Sequence, residues 1–150
     1  MNLNYRAGGE ADLKSVYALN CEAFPESWSQ QGLSDALQAC YQFLVCMDGD
    51  ILAGYLLSQD VLDEVHIMQI AVSPDYRRQG IAEQLSQNLL EANKGSEFLL
   101  EVRASNQAAQ SLYAKLGFTH SGIRKAYYVP QHQGAAREDA VLMQYLSTAA

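Results

Sequence analysis

The segment Ile70-Ala71-Val72-Ser73-Pro74-Asp75-Tyr76-Arg77-Arg78-Gln79-Gly80-Ile81-Ala82 runs from an apolar stretch through a turn into an amphipathic one, with two arginines and a glycine at the junction. The first N–H groups of a helix have no partner inside it, and the helix dipole adds positive potential at the same end. A helix opening at Ile81 therefore presents an anion site, and Gly80 lacks the side chain that would hold a phosphate away. A solvated basic turn has the same composition, so this segment alone leaves both readings open. Neither G-x-G-x-x-G nor G-x-x-x-x-G-K-[ST] occurs, which argues against a dinucleotide or P-loop site.

A second segment, Leu100-Glu101-Val102-Arg103-Ala104-Ser105-Asn106, carries a carboxylate inside an apolar strand. A carboxylate there is costly unless it is paired or lines a cleft. Acid–base work and an ion pair with Arg103, on the same face of the strand, are equally open to Glu101. Tyr113 follows Asn106 by two helical turns, so both side chains can face one ligand; a place in the core beside Ala109 and Leu116 is the alternative. His66, His120 and His132 have no metal-ligand spacing, and no metal is expected. His66, on the strand leading to the first segment, is a second candidate base, with ordinary strand packing as its alternative.

These residues need a scaffold that brings two strand ends together. Apolar spacing predicts helices through Leu13, Val16, Tyr17, Asn20 and Phe24 (stopped by Pro25), through Leu33, Ala36, Leu37 and Cys40 (capped by Ser29), through Ile81, Leu85, Leu89 and Ala92, and through Ala109, Leu112, Tyr113 and Leu116 (capped by Ser105). Strands are predicted at residues 2–6, 41–47, 51–59, 65–72, 98–102, 118–128 and 140–146, with a hairpin at Asp48-Gly49-Asp50. Strand pairs at both ends and two strand-helix-strand crossovers between them imply a mixed α/β sheet, parallel at its centre and antiparallel at its flanks. In such sheets ligands sit at the carboxyl ends of the parallel strands, after Val72 and around Glu101.

With 49% apolar, 9% aromatic and 18% charged residues, the 150-residue chain reads as one globular domain over residues 1–150, and disorder, collagen and coiled coil are excluded. A formal charge of −7 argues against a nucleic-acid partner and would favour approach of a cationic substrate, although solubility alone produces the same sign. Cys21, Cys40 and Cys46 form an odd set with no C-x-x-C and no secretory leader precedes them, so a cytoplasmic location with cysteines acting as buried small hydrophobes is expected. No apolar stretch approaches the roughly 20 residues that cross a bilayer, so no membrane partner is expected.

Arg77-Arg78-Gln79-Gly80-Ile81-Ala82 matches the Q/R-x-x-G-x-G/A acetyl-coenzyme A signature of the GCN5-related N-acetyltransferases (GNAT), a family the chain resembles over most of its length. The likeness extends to Ala23-Phe24-Pro25 and Trp28, Val61-Leu62-Asp63-Glu64, Glu101 to Asn106, Leu112-Tyr113, Leu116-Gly117-Phe118, Tyr127-Tyr128 and Arg137 to Ala140. It implies the family's acyl-CoA N-acyltransferase fold, a mixed sheet of about seven strands flanked by about four helices, with acetyl-CoA as cosubstrate. Main-chain groups of Ile70, Ala71 and Val72 would pair with the pantetheine arm, those of Arg77, Arg78, Gln79, Gly80, Ile81 and Ala82 would cradle the pyrophosphate, and Asn106 would touch the coenzyme. Glu101 would be the general base, directly or through water, and Tyr113 the general acid, with no covalent acyl-enzyme. The acceptor implied is the N-terminal amine of a ribosomal protein, an alanine on the eighteenth of the small subunit. It would lie between Phe24 and Trp28 on one side and Tyr127 and Tyr128 on the other, with Asp63, Glu64, Glu138 and Asp139 near its basic residues.

An α-amine, with a pKa of about 7.7 to 8, is partly neutral at pH 7, whereas a lysine amine at about 10.4 needs far more help. Two departures fall in substrate-facing loops: the stretch from Phe24 to Trp28 is longer than the family pattern, and Val129 separates the tyrosine pair from Pro130. They keep open a small-molecule amine or another protein N-terminus as acceptor. A noncatalytic coenzyme-binding platform, for which Glu101 and Tyr113 would be dispensable, is the reading from a different class.

Overall fold

The computed structural model describes residues 2–24, 27–39, 41–130 and 133–146. Pro25, Cys40 and His132 lie outside the described residues. In chain order the elements are β1 (Leu3–Ala7), α1 (Leu13–Ala23), α2 (Gln30–Gln38), β2 (Tyr41–Asp48), β3 (Ile51–Val61), β4 (Glu64–Val72), α3 (Ile81–Ala92), β5 (Glu97–Arg103), α4 (Gln107–Leu116), β6 (Thr119–Tyr128) and β7 (Glu138–Leu146). They build a seven-stranded sheet in the order β1-β2-β3-β4-β5-β7-β6. Among the described residues only β4 and β5 pair in parallel. Both expected crossovers are present, β4-α3-β5 and β5-α4-β6: after α4 the chain goes to the sheet edge as β6, running parallel to β5, and β7 returns between the two, antiparallel to both.

The strands alternate because each face of the sheet is buried against a different helix pair. On one face Val16, Leu19, Leu33 and Ala36 of α1 and α2 pack on Phe43, Val45, Tyr55, Leu57 and Ala71. On the other, Leu85, Leu89 and Tyr113 of α3 and α4 pack on Leu56, Ile67, Phe98, Leu100, Val102 and Met143. Ser29 caps α2, its Oγ accepting the Gly32 N–H at 2.9 Å. The expected cap of α4 at Ser105 shifts by one residue: Asn106 is the cap, and its Oδ1 accepts the Ala109 N–H at 3.1 Å. The β2–β3 hairpin turns on Gly49-Asp50, with Asp48 paired to Ile51. Asp48 is left to accept a 2.6 Å hydrogen bond from Tyr76, which ties the turn after β4 to that hairpin. Of the cysteines, Cys46 is buried as expected, but Cys21 is exposed.

Gly54 on β3 lies opposite Val72, and a Cβ there would stand 2.9 Å from the Ala71 carbonyl oxygen and 3.1 Å from Ile81 Cγ2. Its missing side chain lets the end of β4 and the start of α3 close onto β3. Gly54→Val is expected to destabilise the fold by about 1–3 kcal/mol through overpacking against backbone, read as a lowered urea midpoint.

Arg6 on β1 makes a two-pronged contact with Asp12, Nη1 to Oδ2 at 2.8 Å and Nη2 to Oδ1 at 2.9 Å, and the Gly9 N–H adds a third bond. Hydrogen bonds from Arg6, with the Gly9 bond and the guanidinium charge assisting against partial burial, hold the Asp12 carboxyl below its ordinary range. A carboxylate depressed in the folded state stabilises fully above its unfolded pKa of about 3.9, and that stability is lost as pH falls through the folded value. Asp12→Asn is therefore expected to cost about 1–2 kcal/mol at pH 7 and to flatten the acid side of the stability profile, measured by urea denaturation from neutral pH downward.

Candidate active site

The parallel pairing of β4 with β5 runs only from Glu64↔Glu97 to Ile67↔Leu100. Beyond it the two strands part, leaving Met68 to Val72 with no strand partner on that side. The separation begins at an irregularity on the other edge of β4. There Leu57 pairs with Gln69 and Ser58 with Ile67, so that Met68 is an extra residue, a bulge that bends the strand. A cleft of about 1310 Å³ fills the resulting wedge. Because α1 and α2 cover only the β2–β4 half of their face, the outward residues of β5 on that face, Leu99, Glu101 and Arg103, line the cleft. Through the wedge it also reaches Val102, Asn106, Ala109 and Tyr113 on the α4 side.

Glu101, Tyr113, Asn106, Ile70, Phe24, Trp28, Tyr127 and Tyr128 all border this one cleft. Glu101 has 27% of its side chain exposed, and its charged partner is Arg124, Nη2 to Oε1 at 3.4 Å, rather than Arg103, the ion-pair alternative left open by the strand pattern. Arg103 instead pairs with Glu138 at 3.3 Å, donates to the Val129 carbonyl at 2.9 Å and lies 4.8 Å from the centre of the Tyr128 ring. Partial burial, together with the neighbouring Glu101 carboxylate, raises the pKa of Tyr127. Tyr113 is only 3% exposed and packs edge-on against Phe118. Burial pushes its pKa well up, with the neighbouring Tyr128 adding to the effect, so it carries its proton throughout the physiological range. Among the described residues the only buried side-chain N or O atom without a partner is Ser58 Oγ. Since the Tyr113 hydroxyl has no partner among the described residues and is not among the buried atoms without one, it is open to the cleft.

The turn before α3 is solvent-facing from Arg77 to Gly80 and stands beyond the lining of the cleft. Arg78 and Gly80 both take left-handed backbone conformations, φ 64° and 72°. Gly80 is the N-cap of α3 and no side chain caps the helix there, so the first N–H groups of α3 remain free of a cap. A Cβ at Gly80 would meet no atom within 4 Å, which leaves open space in front of those donors.

The four acidic residues expected near the basic residues of the acceptor stand outside the lining of this cleft. Asp63 and Glu64 sit at the closed end of the β4–β5 pair, where Glu64 contacts His66 at 3.0 Å. Glu138 is turned onto Arg103 and the Ser105 N–H, and Asp139 accepts the Ala126 N–H at 2.8 Å, a bond that with Lys125 lowers its pKa. None of the four lines the cleft. Sequence reasoning missed Arg124, and the reason is local. On β6, Arg124 pairs with Ala140 and Tyr128 with Glu138, so residues 125–127 face Asp139 alone, with Ala126 at φ 51°. In a regular strand Arg124 and Tyr127 would point to opposite faces; this bulge turns both to the cleft. Gln69 and Glu22 also border the cleft and were not foreseen. His66 borders it too, beside Glu64. Among the described residues no group of three His, Cys, Asp or Glu side chains gathers in a way that could hold a metal, and no helix is long and apolar enough to cross a membrane.

A wedge-split mixed sheet, with a bulged strand and a glycine turn leading into a helix on one side and a carboxylate strand on the other, defines an acyl-transfer enzyme fold. The chain belongs to the acetyltransferase (GNAT) family, which matches residues 13–118. The chain is 38% identical over 135 residues to the [ribosomal protein bS18]-alanine N-acetyltransferase of Escherichia coli strain K12, covering 88% of this chain and 89% of that one. It is 35% identical over 137 residues to the putative enzyme of the same name from Bacillus subtilis strain 168, covering 88% and 87%. The crystal structure of the ribosomal-protein-S18-alanine N-acetyltransferase from Escherichia coli superposes with a TM-score of 0.90 at 33% identity, covering 99% of this chain and 96% of that one. At 19% identity, Arabidopsis thaliana NAA60 in complex with acetyl-CoA shares the fold, with a TM-score of 0.88 over 97% of this chain and 98% of its own.

Proposed function

We propose that the protein transfers the acetyl group of acetyl-CoA to the N-terminal α-amine of the alanine that opens ribosomal protein S18. The observation that carries the chemistry is the cleft that passes through the sheet between β4 and β5, giving a route to Glu101 from each face. The acceptor is supported by the substrate for which relatives at 35% and 38% identity are named.

The residues present fit the coenzyme. The free edge of β4 at Ile70, Ala71 and Val72 offers main-chain groups to an amide-bearing arm as a strand would. The uncapped start of α3, with Arg77 and Arg78 beside it, suits a diphosphate. Acetyl-CoA supplies an activated acyl carbon on a good leaving group. The acceptor enters from the other face, between Phe24 and Trp28 and the pair Tyr127 and Tyr128. Glu101, directly or through a water, takes the proton that the attacking nitrogen loses, while Tyr113, kept protonated by burial, gives its proton to the departing sulfur. Main-chain N–H groups on β4 supply the donors for the charge that develops on the carbonyl oxygen. One carbon–nitrogen bond forms and one carbon–sulfur bond breaks, with no enzyme-bound acyl group. Glu138 acts on the acceptor site indirectly, by holding Arg103.

Incubating the purified protein with acetyl-CoA and a peptide bearing the first residues of S18 is expected to add one acetyl group at the alanine nitrogen, located by tandem mass spectrometry. Acetylation confined to lysines or small amines would overturn the assignment of the acceptor.

A further inference from the structure

Asn20 is fully buried on the face of α1 that packs on the sheet, where the other buried side chains are Val16 and Leu19. Asparagine has no local reason to occupy a helix interior, and a buried amide is costly unless its donors and acceptor are all used. Here they are used. The amide nitrogen donates to the Tyr55 hydroxyl at 2.9 Å and to Gln69 Oε1, the Tyr55 hydroxyl donates to the same Gln69 oxygen at 2.9 Å, and Asn20 Oδ1 accepts the Trp28 N–H at 2.8 Å. Gln69 directly follows the bulge residue Met68 on β4, and Trp28 borders the cleft. One side chain thus joins the wall of the cleft outside the sheet to the strand whose free edge faces the wedge.

We infer that Asn20 is a positioning residue for the acceptor: through the Trp28 N–H and Gln69 it fixes the Trp28 wall at a set distance from the β4 bulge, and so sets the width of the slot that the amine-bearing chain end must enter. The inference rests on the proposed function for which side the acceptor uses. Glu22 and His66 border the same cleft, and neither makes a hydrogen bond to this network. Buried networks of this kind rigidify a site because no member can turn without stranding another.

The test compares Asn20→Leu, which removes the three bonds that Asn20 makes, with Tyr55→Phe, which leaves the Asn20–Trp28 and Asn20–Gln69 bonds in place. Asn20→Leu is expected to raise KM for the alanine peptide about tenfold with KM for acetyl-CoA within twofold, while Tyr55→Phe holds both within twofold. Equal rises in the two KM values, or no rise for the peptide, would show a merely structural role and overturn the inference. Should Asn20→Leu fail to fold, Gln69→Leu undergoes the same comparison with the same outcomes. Amide hydrogen exchange on the unliganded protein supplies a readout independent of turnover: the variant is expected to speed exchange at Trp28 at least a hundredfold and leave Leu56, deep in β3, unchanged. Unaltered exchange at Trp28 would sink the proposal on its own. Wild-type protein that fails to acetylate the alanine peptide would count against the proposed acceptor, while the exchange result still decides the role of Asn20.

Discussion

Glu101→Gln is expected to lower kcat/KM for the acceptor about 10²- to 10⁴-fold, the range over which a positioned general base contributes. The replacement keeps the size of the side chain and its strand register opposite Leu142, so binding of acetyl-CoA should stay within about twofold and the loss should appear in kcat. Glutamine cannot accept the amine proton, and it leaves Arg124 without its carboxylate, but Arg124 is on the exposed side of the contact and tolerates the loss. Single-turnover measurements with the alanine peptide would check this. Tyr113→Phe should show a smaller deficit in the same assay, because water admitted through the cleft can protonate a thiolate. Unchanged rates for both variants would remove Glu101 and Tyr113 from the acid–base roles.

The second large effect is expected at Gly80→Val. A β-branched residue in the left-handed conformation of Gly80 costs about 1–2 kcal/mol, and the backbone escapes that cost by rotating the first N–H groups of α3 away from their present direction. Since the space in front of Gly80 is open, the new side chain would also stand where a diphosphate approaches. Together these should weaken acetyl-CoA binding about 30- to 100-fold by isothermal calorimetry. The catalytic groups on β5 and α4 are untouched, so kcat at saturating acetyl-CoA should remain near wild type. Equal binding by the variant would remove the turn from the coenzyme site.

The positions of Glu101 and Arg103 on one face of β5 were readable from alternation alone, because a strand has a fixed period and this one is regular. The turn from Val72 to Ala82 was readable for a similar reason: glycine and a helix start leave local signatures. Arg124 was not readable, since its direction depends on three residues of β6 facing a single residue of β7, and a bulge is set by the partner strand rather than by its own sequence. The internal partners of Glu138 and Asp139, expected instead near the acceptor's basic residues, were hidden for the same reason. Only the fold reveals that the carboxylates are consumed by Arg103, the Ser105 N–H and the Ala126 N–H. Nor could the order of the last two strands be foreseen, because antiparallel return inside an existing edge is chosen by packing against α4, not by spacing. Asn20 did leave a signal, a lone amide amid the apolar positions of α1.

The outermost strand of the sheet carries a liability that its own irregularity answers. A straight, continuous β6 would offer a row of open main-chain groups to another molecule and invite ribbon-to-ribbon polymerisation. The kink centred on Ala126, stapled by Asp139 and flanked by Arg124 and Lys125, breaks that row and adds charge along it. The same distortion that aims two side chains inward therefore guards solubility. Straightening it would be expected to make the protein prone to aggregation on concentration, even where folding and coenzyme affinity survive.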